Sequence, residues 1–318
     1  MSAPQSRTTS ERSDDIPSIL HQLEQMQLAK VIDAALPSPH GNRQGLSYGQ
    51  LSVMLVSYIM AQADHRLCGV EAWSHQHHQT LTMGTGWTIS AKDVSDDRLG
   101  ALVEVIGRQV ESREHIEQQL GQRMIQAYEL PTEIARCDTS SFSVYHQIDE
   151  ADEESSLLRF GHSKDHRRDL RQYRQLLGTI DPAGVPLVSE TLAGNGADDP
   201  IYVPTWERLV KVIGHKAFIY IADGKAAAHQ TRAHLAASGG RYCFPLPKTG
   251  HTPDLLKSWV LNPPCPLQEI HRPDSAEDEP AIGVGFEMEL GKLRHESETA
   301  PSFHPVIPLG RTLFGRAL

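Results

Sequence analysis

The sequence has few of the features that mark secreted or membrane proteins. It contains only four cysteines in 318 residues, and no C-x-x-C pair, so neither a disulfide framework nor a zinc site is indicated. The longest apolar stretch, Leu51 to Ala61, is too short to cross a bilayer, and residues 1 to 15 contain no apolar signal core. We therefore expect reduced cysteines, a cytoplasmic location and no membrane contact.

A general excess of positive charge is also missing. The formal net charge of −10 excludes a protein that binds nucleic acid over its whole surface, so any DNA contact has to come from local basic patches. With 39% hydrophobic and 22% charged residues, the chain has the composition of an ordinary globular protein. Its length is sufficient to bury a core and to form two domains.

Two predicted strands each carry an aspartate. The segment 134–145 is rich in β-branched and aromatic residues but contains Asp138, and the apolar run 216–225 reaches Asp223. Aspartate is among the poorest strand residues, so each carboxylate should be hydrogen-bonded or should hold a cation. The carboxyl end of a buried strand, where Asp223 lies, is also where α/β sheets bind ligands. The pattern predicts a two-carboxylate metal site on adjacent strands.

Helical periodicity dominates the first part of the chain. We assign residues 1–15 to a disordered tail and residues 16–130 to an all-helical N-terminal domain, which could present a helix-turn-helix to DNA. The predicted helices cover residues 16–35, a segment starting near Ser47, and residues 67–73, 96–110 and 112–130.

One short motif in this region has two interpretations. Gly45-Leu46-Ser47-Tyr48-Gly49 matches the G-x-S-x-G nucleophile elbow of hydrolases. That elbow requires a preceding strand, and no strand pattern precedes Gly45. Ser47 followed by Gln50 fits a helix capping box, which is the interpretation that we favour.

Residues 131–250 alternate between strand and helix patterns. The strand with Asp138 is followed by a hairpin over 172–180 and 185–192, a helix over 203–213, the Asp223 strand, a helix over 226–238 and a strand over 241–247. This order predicts a mixed α/β sheet in which the two acidic strands can be neighbours. Beyond residue 250, prolines interrupt the pattern. The only clear predicted element there is a strand over 281–290, and we predict no core after Gly291.

The most basic stretch of the chain runs from Arg159 to Arg174. Such a run is either a charged, solvated edge or a patch that contacts phosphates. The second interpretation follows from the neighbouring carboxylate site, because lysine and arginine beside such a site are what binding of a nucleic-acid backbone needs.

Four segments together resemble DDE-type insertion-sequence transposases, in the branch with a helical N-terminal domain of unknown function. The resemblance covers residues 15 to about 250 and is carried by Cys137-Asp138-Thr139-Ser140-Ser141-Phe142, Gly161 to Gln172, Gly194-Asn195 with Asp198, and Ile221 to Lys225. It implies a ribonuclease H-like mixed sheet with flanking helices, preceded by the all-helical domain. Residues 251–318 then correspond to the start of an insertion and an irregular tail.

The resemblance also implies functional roles. Asp138 and Asp223 would be two members of an acidic triad that holds two divalent cations, Mg²⁺ or Mn²⁺. The implied activity is cleavage and strand transfer of DNA at the terminal inverted repeats of a bacterial insertion sequence. Its partners would be target DNA and further copies of the chain, and its location the nucleoid. The basic residues expected to contact DNA are Lys164, Arg167, Arg168, Arg171, Arg174 and Lys225.

The third member of the triad should be a glutamate within a Tyr, Arg, Glu, Lys pattern, and that pattern does not occur after Pro247. Glu287, Glu289, Glu296 and Glu298 are available, but none has this context and we assign none. The simplest interpretation is a truncated transposase that binds metal weakly and cleaves poorly.

Two other functions stay open at this point. One is a non-catalytic DNA-binding regulator derived from a transposase. The other is a nuclease or phosphohydrolase that uses the two aspartates with metal. The sequence leaves open whether the chain is an active enzyme.

Overall fold

The computed structural model describes residues 10–38, 44–145, 156–161, 167–246, 248, 250–271, 279–289, 292–294, 306–308 and 311–317. The chain divides into two compact units, Met1–Leu130 and Pro131–Leu318. Among the described residues, none of the helices is both long and apolar enough to cross a membrane.

The first unit is built from helices throughout its described part. This part contains seven α-helices, which are α1 (Ile16–Gln25), α2 (Leu28–Ala35), α3 (Tyr48–Gln62), α4 (Val70–Gln76), α5 (His78–Thr85), α6 (Asp96–Arg108) and α7 (Val110–Ala127). Their apolar faces share one core that includes Ile16, Leu51, Met54 and Leu99, each almost inaccessible to solvent. The all-helical prediction is therefore confirmed for the described residues of this unit.

One of the predicted helices is interrupted. The stretch 16–35 divides into α1 and α2 because Gln27 adopts a left-handed backbone conformation, with φ of 51°. Apolar spacing alone does not reveal this break, since the spacing continues on both sides. The predicted boundary between the helices 96–110 and 112–130 is found close by, at Gln109, whose ψ of 77° lies outside the helical range.

The capping-box prediction at the start of α3 is confirmed. The Ser47 hydroxyl accepts a hydrogen bond from the Gln50 backbone N–H at 3.1 Å, and the Gln50 side chain accepts one from the Ser47 N–H at 2.9 Å. Asp33 of α2 also accepts bonds from the Ser47 hydroxyl at 2.6 Å and from the Gly49 N–H at 2.7 Å. Ser47 therefore has a structural partner on each side, as a helix cap requires.

The end of the predicted N-terminal tail makes specific contacts. The Glu11 carboxylate accepts hydrogen bonds from the backbone N–H groups of Gln79 at 2.9 Å and Thr80 at 2.7 Å, in the first turn of α5. These bonds to otherwise unpaired amides lower the pKa of Glu11, although burial opposes the shift. Disorder up to residue 15 is thus wrong for this segment, because a helix N-terminus offers a partner that composition does not reveal.

The second unit is organised around a mixed sheet. Its strands are β1 (Ile134–Val144), β2 (Arg159–Phe160), β3 (Arg171–Ile180), β4 (Val185–Ala193), β5 (Ile219–Ile221) and β6 (Arg241–Cys243). β3 pairs antiparallel with β1 on one side and with β4 and β2 on the other. β1 pairs parallel with β5, and β5 pairs parallel with β6.

This order, with an antiparallel hairpin on one side of β1 and parallel strands on the other, is that of a ribonuclease H-like sheet. Helices α8 (Tyr202–Ile213) and α9 (His229–Ala237) flank it. The fold class expected from the sequence is confirmed. The core of the sheet includes Ala135, Leu176, Tyr220 and, from α8, Leu209.

The hairpin and α8 match their predictions closely, whereas the elements around Asp223 are shorter than predicted. β5 covers only three residues, and its neighbour β6 is equally short. The predicted helix over 226–238 is a 3₁₀ turn over Gly224–Ala227 followed by α9. Ala228 separates the two with an extended ψ of 143°.

The C-terminal segment has more regular structure than the sequence predicted. A helix α10 (Thr252–Leu261) is followed by strands β7 (Gln268–Ile270), β8 (Gly283–Glu289), β9 (Lys292–Arg294), β10 (Val306–Pro308) and β11 (Arg311–Ala317). The strand predicted over 281–290 corresponds to β8. Strand β11, which was not predicted, pairs antiparallel with the full length of β8. The prediction of no core after Gly291 concerns side chains that lie outside what the structure describes.

Candidate metal and DNA site

The sheet brings Asp138 and Asp223 to the same level on adjacent parallel strands. β1 and β5 pair Ile134 with Ile219 and Arg136 with Ile221. Continuing that register by two residues places Asp138 beside Asp223, on strands about 5 Å apart. Both side chains are exposed, whereas their neighbours Cys137 and Ala222 are buried. The two carboxylates therefore lie on the same face of the sheet.

Each carboxylate is held through one of its two oxygens. Asp138 Oδ1 accepts a hydrogen bond from the backbone N–H of Thr139 at 2.7 Å. Asp223 Oδ1 accepts one from the Tyr202 hydroxyl at 2.6 Å and one from the Lys225 N–H at 3.1 Å. No described residue donates a hydrogen bond to Oδ2 of either aspartate. The oxygens left without a described donor are suitable ligands for a hard cation.

The Tyr202 hydroxyl is a buried donor at the start of α8. Its side chain is 2% exposed. Burial raises the pKa of Tyr202, and the hydrogen bond and negative charge of Asp223 raise it further. The phenol consequently stays protonated and donates to Asp223 over the whole physiological pH range, which fixes the orientation of that carboxylate.

Cys137 lies beneath the two aspartates. Burial raises the pKa of its thiol, and the negative charges of Asp138 and Asp223 add to the shift. The strand register places this thiol on the core side of β1, directly before Asp138. As a protonated thiol on the core side of β1, Cys137 has the surroundings of a packing residue.

A third aspartate, Asp198, connects the elements around the site. Its carboxylate forms ion pairs with Arg174 of β3 and with Lys225, two residues after Asp223. It also accepts a hydrogen bond of 3.5 Å from the Thr139 hydroxyl, next to Asp138. Burial would raise the pKa of Asp198, but Lys225 and Arg174 outweigh it and lower the pKa below its usual value. Asp198 is therefore a charged residue that holds Lys225 in place.

The loop that carries Asp198 depends on a close backbone approach. Gln172 of β3 donates a side-chain hydrogen bond of 2.8 Å to the Gly194 carbonyl. A Cβ at Gly194 would overlap the backbone carbonyl of Gln172, and one at Gly161 would overlap the carbonyl of Gly194. The glycines of two motif segments thus allow β2, β3 and the loop after β4 to pack together.

The structure distributes the predicted DNA-binding residues over different environments. Arg168 is exposed, and Arg167 pairs with Asp169 at the surface. Arg171 lies with its guanidinium 5.1 Å from the Phe160 ring centroid. Arg174 is only 9% exposed and bonds to Asp198 and to the Ala193 carbonyl, so it supports the site from within.

The other two predicted residues differ from these four. Lys225 is exposed and bonded to Asp198. Lys164 lies outside the described residues. No side-chain contact with DNA is therefore assigned to either of them on structural grounds.

The donor set fits a divalent cation in part. Two carboxylates on adjacent strands supply hard oxygen ligands, as Mg²⁺ and Mn²⁺ prefer. Within the described residues, no cluster of three or more metal-ligating side chains is suitable for an ion. The side chains of Glu287 and Glu289, in β8, and the residues Glu296 and Glu298 lie outside what the structure describes.

Two contributors to the site are not evident from sequence patterns. Tyr202 reads as an ordinary inward-facing helix residue, and nothing nearby in the chain connects it with Asp223. Asp198 belongs to a motif segment, but its pairing with Lys225 joins residues from two separate loops. In both cases the contact depends on tertiary structure. The available signal was limited to the clustering of polar residues around Gly194.

The fold and the position of the two aspartates define a ribonuclease H-like domain with one acidic residue within its central strand β1 and another just after the neighbouring strand β5. No protein-family model matches the chain, and a search of curated proteins finds no significant match.

Among solved structures, the chain is similar to a piggyBac transposase in a synaptic complex with hairpin DNA, with a TM-score of 0.35 and 9% identity, over 90% of this chain and 60% of that chain. The chain thus spans 60% of the piggyBac protein's length. It is also similar to a Mos1 transposase in a paired-end complex with the left transposon end, with a TM-score of 0.25 and 11% identity, over 78% and 82% of the two chains. The fold assignment rests on the strand order and register given above.

Proposed function

We propose that the chain is a transposase of a bacterial insertion sequence, which acts on DNA with divalent metal. The observation that carries this proposal is the register of β1 and β5, which brings Asp138 level with Asp223. Three of the motif segments support the same proposal, because they supply Asp138, Asp223 and Asp198, and Asp198 is bonded to the neighbours of both other aspartates, Thr139 and Lys225.

Asp138 and Asp223 would hold the metal through their Oδ2 atoms. A bound Mg²⁺ or Mn²⁺ would supply Lewis-acid stabilisation of the charge that develops at phosphorus and on the leaving oxygen. The Tyr202 hydroxyl and the Lys225 N–H keep Asp223 in a single orientation. The exposed arginines Arg167 and Arg168 would contact the phosphates of the bound DNA.

The experiment is a strand-cleavage assay with the full chain. Purified protein with Mg²⁺ or Mn²⁺ should nick duplex DNA that carries the terminal inverted repeats flanking its gene. Asp138→Asn and Asp223→Asn should each abolish nicking, because an amide cannot replace an anionic ligand of a divalent ion. Nicking by either variant at the wild-type rate would contradict the proposal.

A second candidate is a non-catalytic DNA-binding regulator. It is favoured because the described residues contain no cluster of three metal-ligating side chains, whereas the acidic triad needs three carboxylates. Specific binding of the terminal repeats without nicking would select this function. Hydrolysis of a generic phosphoester in the absence of DNA would select instead the metal-dependent phosphohydrolase.

A further inference from the structure

Stacked aromatic side chains lie on the sheet face that carries Asp138. Phe142 of β1 and Tyr173 of β3 are paired in register, and their rings stack with centroids 5.3 Å apart and an interplanar angle of 17°. Because side chains alternate between faces along a strand, Phe142 points to the same side as Asp138. Phe142 is four positions beyond Asp138, a distance of about 14 Å along β1.

The aromatic surface continues onto the neighbouring strand. Phe160 of β2 is paired with Arg171, which lies two residues from Tyr173 and so on the same face. The Arg171 guanidinium lies over the Phe160 ring. We call Phe142, Tyr173, Phe160 and Arg171 the aromatic platform. Arg167, over the ring of Tyr145 at 5.7 Å, adds a second arginine–aromatic contact nearby in the sequence.

Packing among the described residues does not explain why these rings face solvent. A cross-strand aromatic pair stabilises a sheet modestly and does so best when it is buried. Here Phe142 is 46% exposed and Phe160 is 55% exposed. Neighbouring apolar rings that face solvent commonly mark a binding surface.

The chemistry of the platform favours one class of ligand. Aromatic faces stack with nucleobases of any sequence, and arginines among them pair with phosphates and stack on bases. In a chain with a net charge of −10, a local combination of arginines and exposed rings is suited to an anionic polymer with planar groups. Bases inside a duplex are already stacked on each other, so the ligand has to be unpaired.

We infer that the aromatic platform binds unpaired nucleotides of the DNA strand whose phosphodiester bond lies at Asp138 and Asp223. This inference rests on the proposed function, since it takes the two aspartates as the place of cleavage. The spacing along β1 corresponds to about four nucleotides of one duplex strand, and an unpaired strand is at least as extended, so the stacked base should lie at most about four nucleotides from the cleaved bond.

The test measures the binding of single-stranded DNA to the full chain without divalent metal, so that no cleavage occurs. Fluorescence anisotropy gives the affinity, and quenching of a 2-aminopurine placed at successive positions near the cleaved bond reports stacking. Phe142→Leu and Tyr173→Leu keep apolar volume but remove the π-face. Each should weaken single-strand binding about tenfold and abolish the quenching, with a smaller effect on duplex of the same sequence.

Ring-preserving variants provide the matched control. Phe142→Trp and Tyr173→Phe should bind single strands within about threefold of the wild type, because the stacking surface remains. Equal affinity of the leucine variants and the wild type would overturn the inference. So would a change in the oligomeric state of the leucine variants, measured by analytical ultracentrifugation, without a change in DNA binding, because the platform would then contact a second copy.

The two proposals fail in different assays. If the leucine variants bind single-stranded DNA as the wild type does while Asp138→Asn abolishes nicking, the inference about the aromatic platform is wrong and the proposed function stands. If Asp138→Asn still nicks DNA, the proposed function is wrong whatever the platform binds.

Discussion

At the scale of single residues, the Tyr202 hydroxyl is the group that we expect to tune the metal affinity of Asp223. Tyr202→Phe removes the 2.6 Å hydrogen bond but keeps the buried ring. Loss of a hydrogen bond that orients a metal ligand weakens metal binding by about tenfold or more. Titration with Mn²⁺, followed by electron paramagnetic resonance, should show this decrease.

Tyr58→Phe is the matched control for this prediction. It removes a similar phenol–carboxylate hydrogen bond, 2.7 Å from Tyr58 to Asp64, in the helical unit. Its Mn²⁺ affinity should equal that of the wild type. If both variants bind Mn²⁺ as the wild type does, the Tyr202 hydroxyl has no orienting role.

Asp198 should act on the same site through the charge of Lys225. In Asp198→Asn, the amide oxygen can still accept a hydrogen bond from Arg174. The ammonium of Lys225, which is two residues from Asp223, loses its ion pair with Asp198. A released cation near the carboxylates competes with a metal ion, so the Mn²⁺ affinity should decrease about tenfold.

The double variant tests this explanation. Adding Lys225→Ala to Asp198→Asn should return the Mn²⁺ affinity to within about threefold of the wild type, since the competing charge is then gone. If the double variant binds Mn²⁺ as weakly as Asp198→Asn alone, Asp198 supports the site in a way that does not involve the charge of Lys225.

At the scale of elements, the cap of α3 provides a test of local stability. Ser47→Ala removes the hydroxyl bonded to the Gln50 N–H and to Asp33, and should lower the free energy of unfolding of the helical unit by about 1 kcal/mol. Urea unfolding followed by circular dichroism measures the change. Ser95→Ala is the control. Ser95 precedes α6 without a side-chain capping hydrogen bond, so this substitution should lower the free energy of unfolding by less than Ser47→Ala does.

The elements that the sequence predicted well are those whose pattern is local. The capping box of α3, strand β1 and the β3–β4 hairpin each have their signals within a few neighbouring residues. β11 was missed because Arg311–Ala317, with its two arginines and Gly315, has weak strand propensity and pairs with a distant partner, β8.

The same distinction between local signals and distant contacts applies to the candidate site. Asp138 and Asp223 were predicted because each conflicts with its own apolar strand. Tyr202 and Asp198 contribute through contacts with residues that are 21 and 27 positions away. Such contacts depend on how α8 and the loop after β4 pack, which no local pattern specifies.

At the scale of the whole molecule, a negative net charge makes any basic surface important for DNA binding. Arg167→Ala with Arg168→Ala should weaken binding to duplex DNA and reduce the slope of log K against log salt by about 1 for each phosphate that the variant no longer neutralises. Fluorescence anisotropy over a range of salt concentrations gives both quantities.

Lys211→Ala with Lys216→Ala is the charge-matched control. Lys211 lies in the last turn of α8 and Lys216 precedes β5, at the opposite end of that strand from Asp223. This variant should keep the wild-type salt slope. An unchanged slope in the arginine variant would mean that the stretch 159–174 is only a charged edge.

The strict alternation of buried and exposed side chains over residues 135–140 of β1 limits how the chain can change in length. A single residue inserted between Ile134 and Cys137 would turn the Asp138 carboxylate toward the core side, where Cys137 now lies, and would expose the thiol instead. Insertions in the loops between strands can have an odd or an even number of residues, because they do not turn the side chains of a strand to the other face of the sheet. Among related genes, odd-numbered length differences should therefore occur in those loops and be absent from the first half of β1.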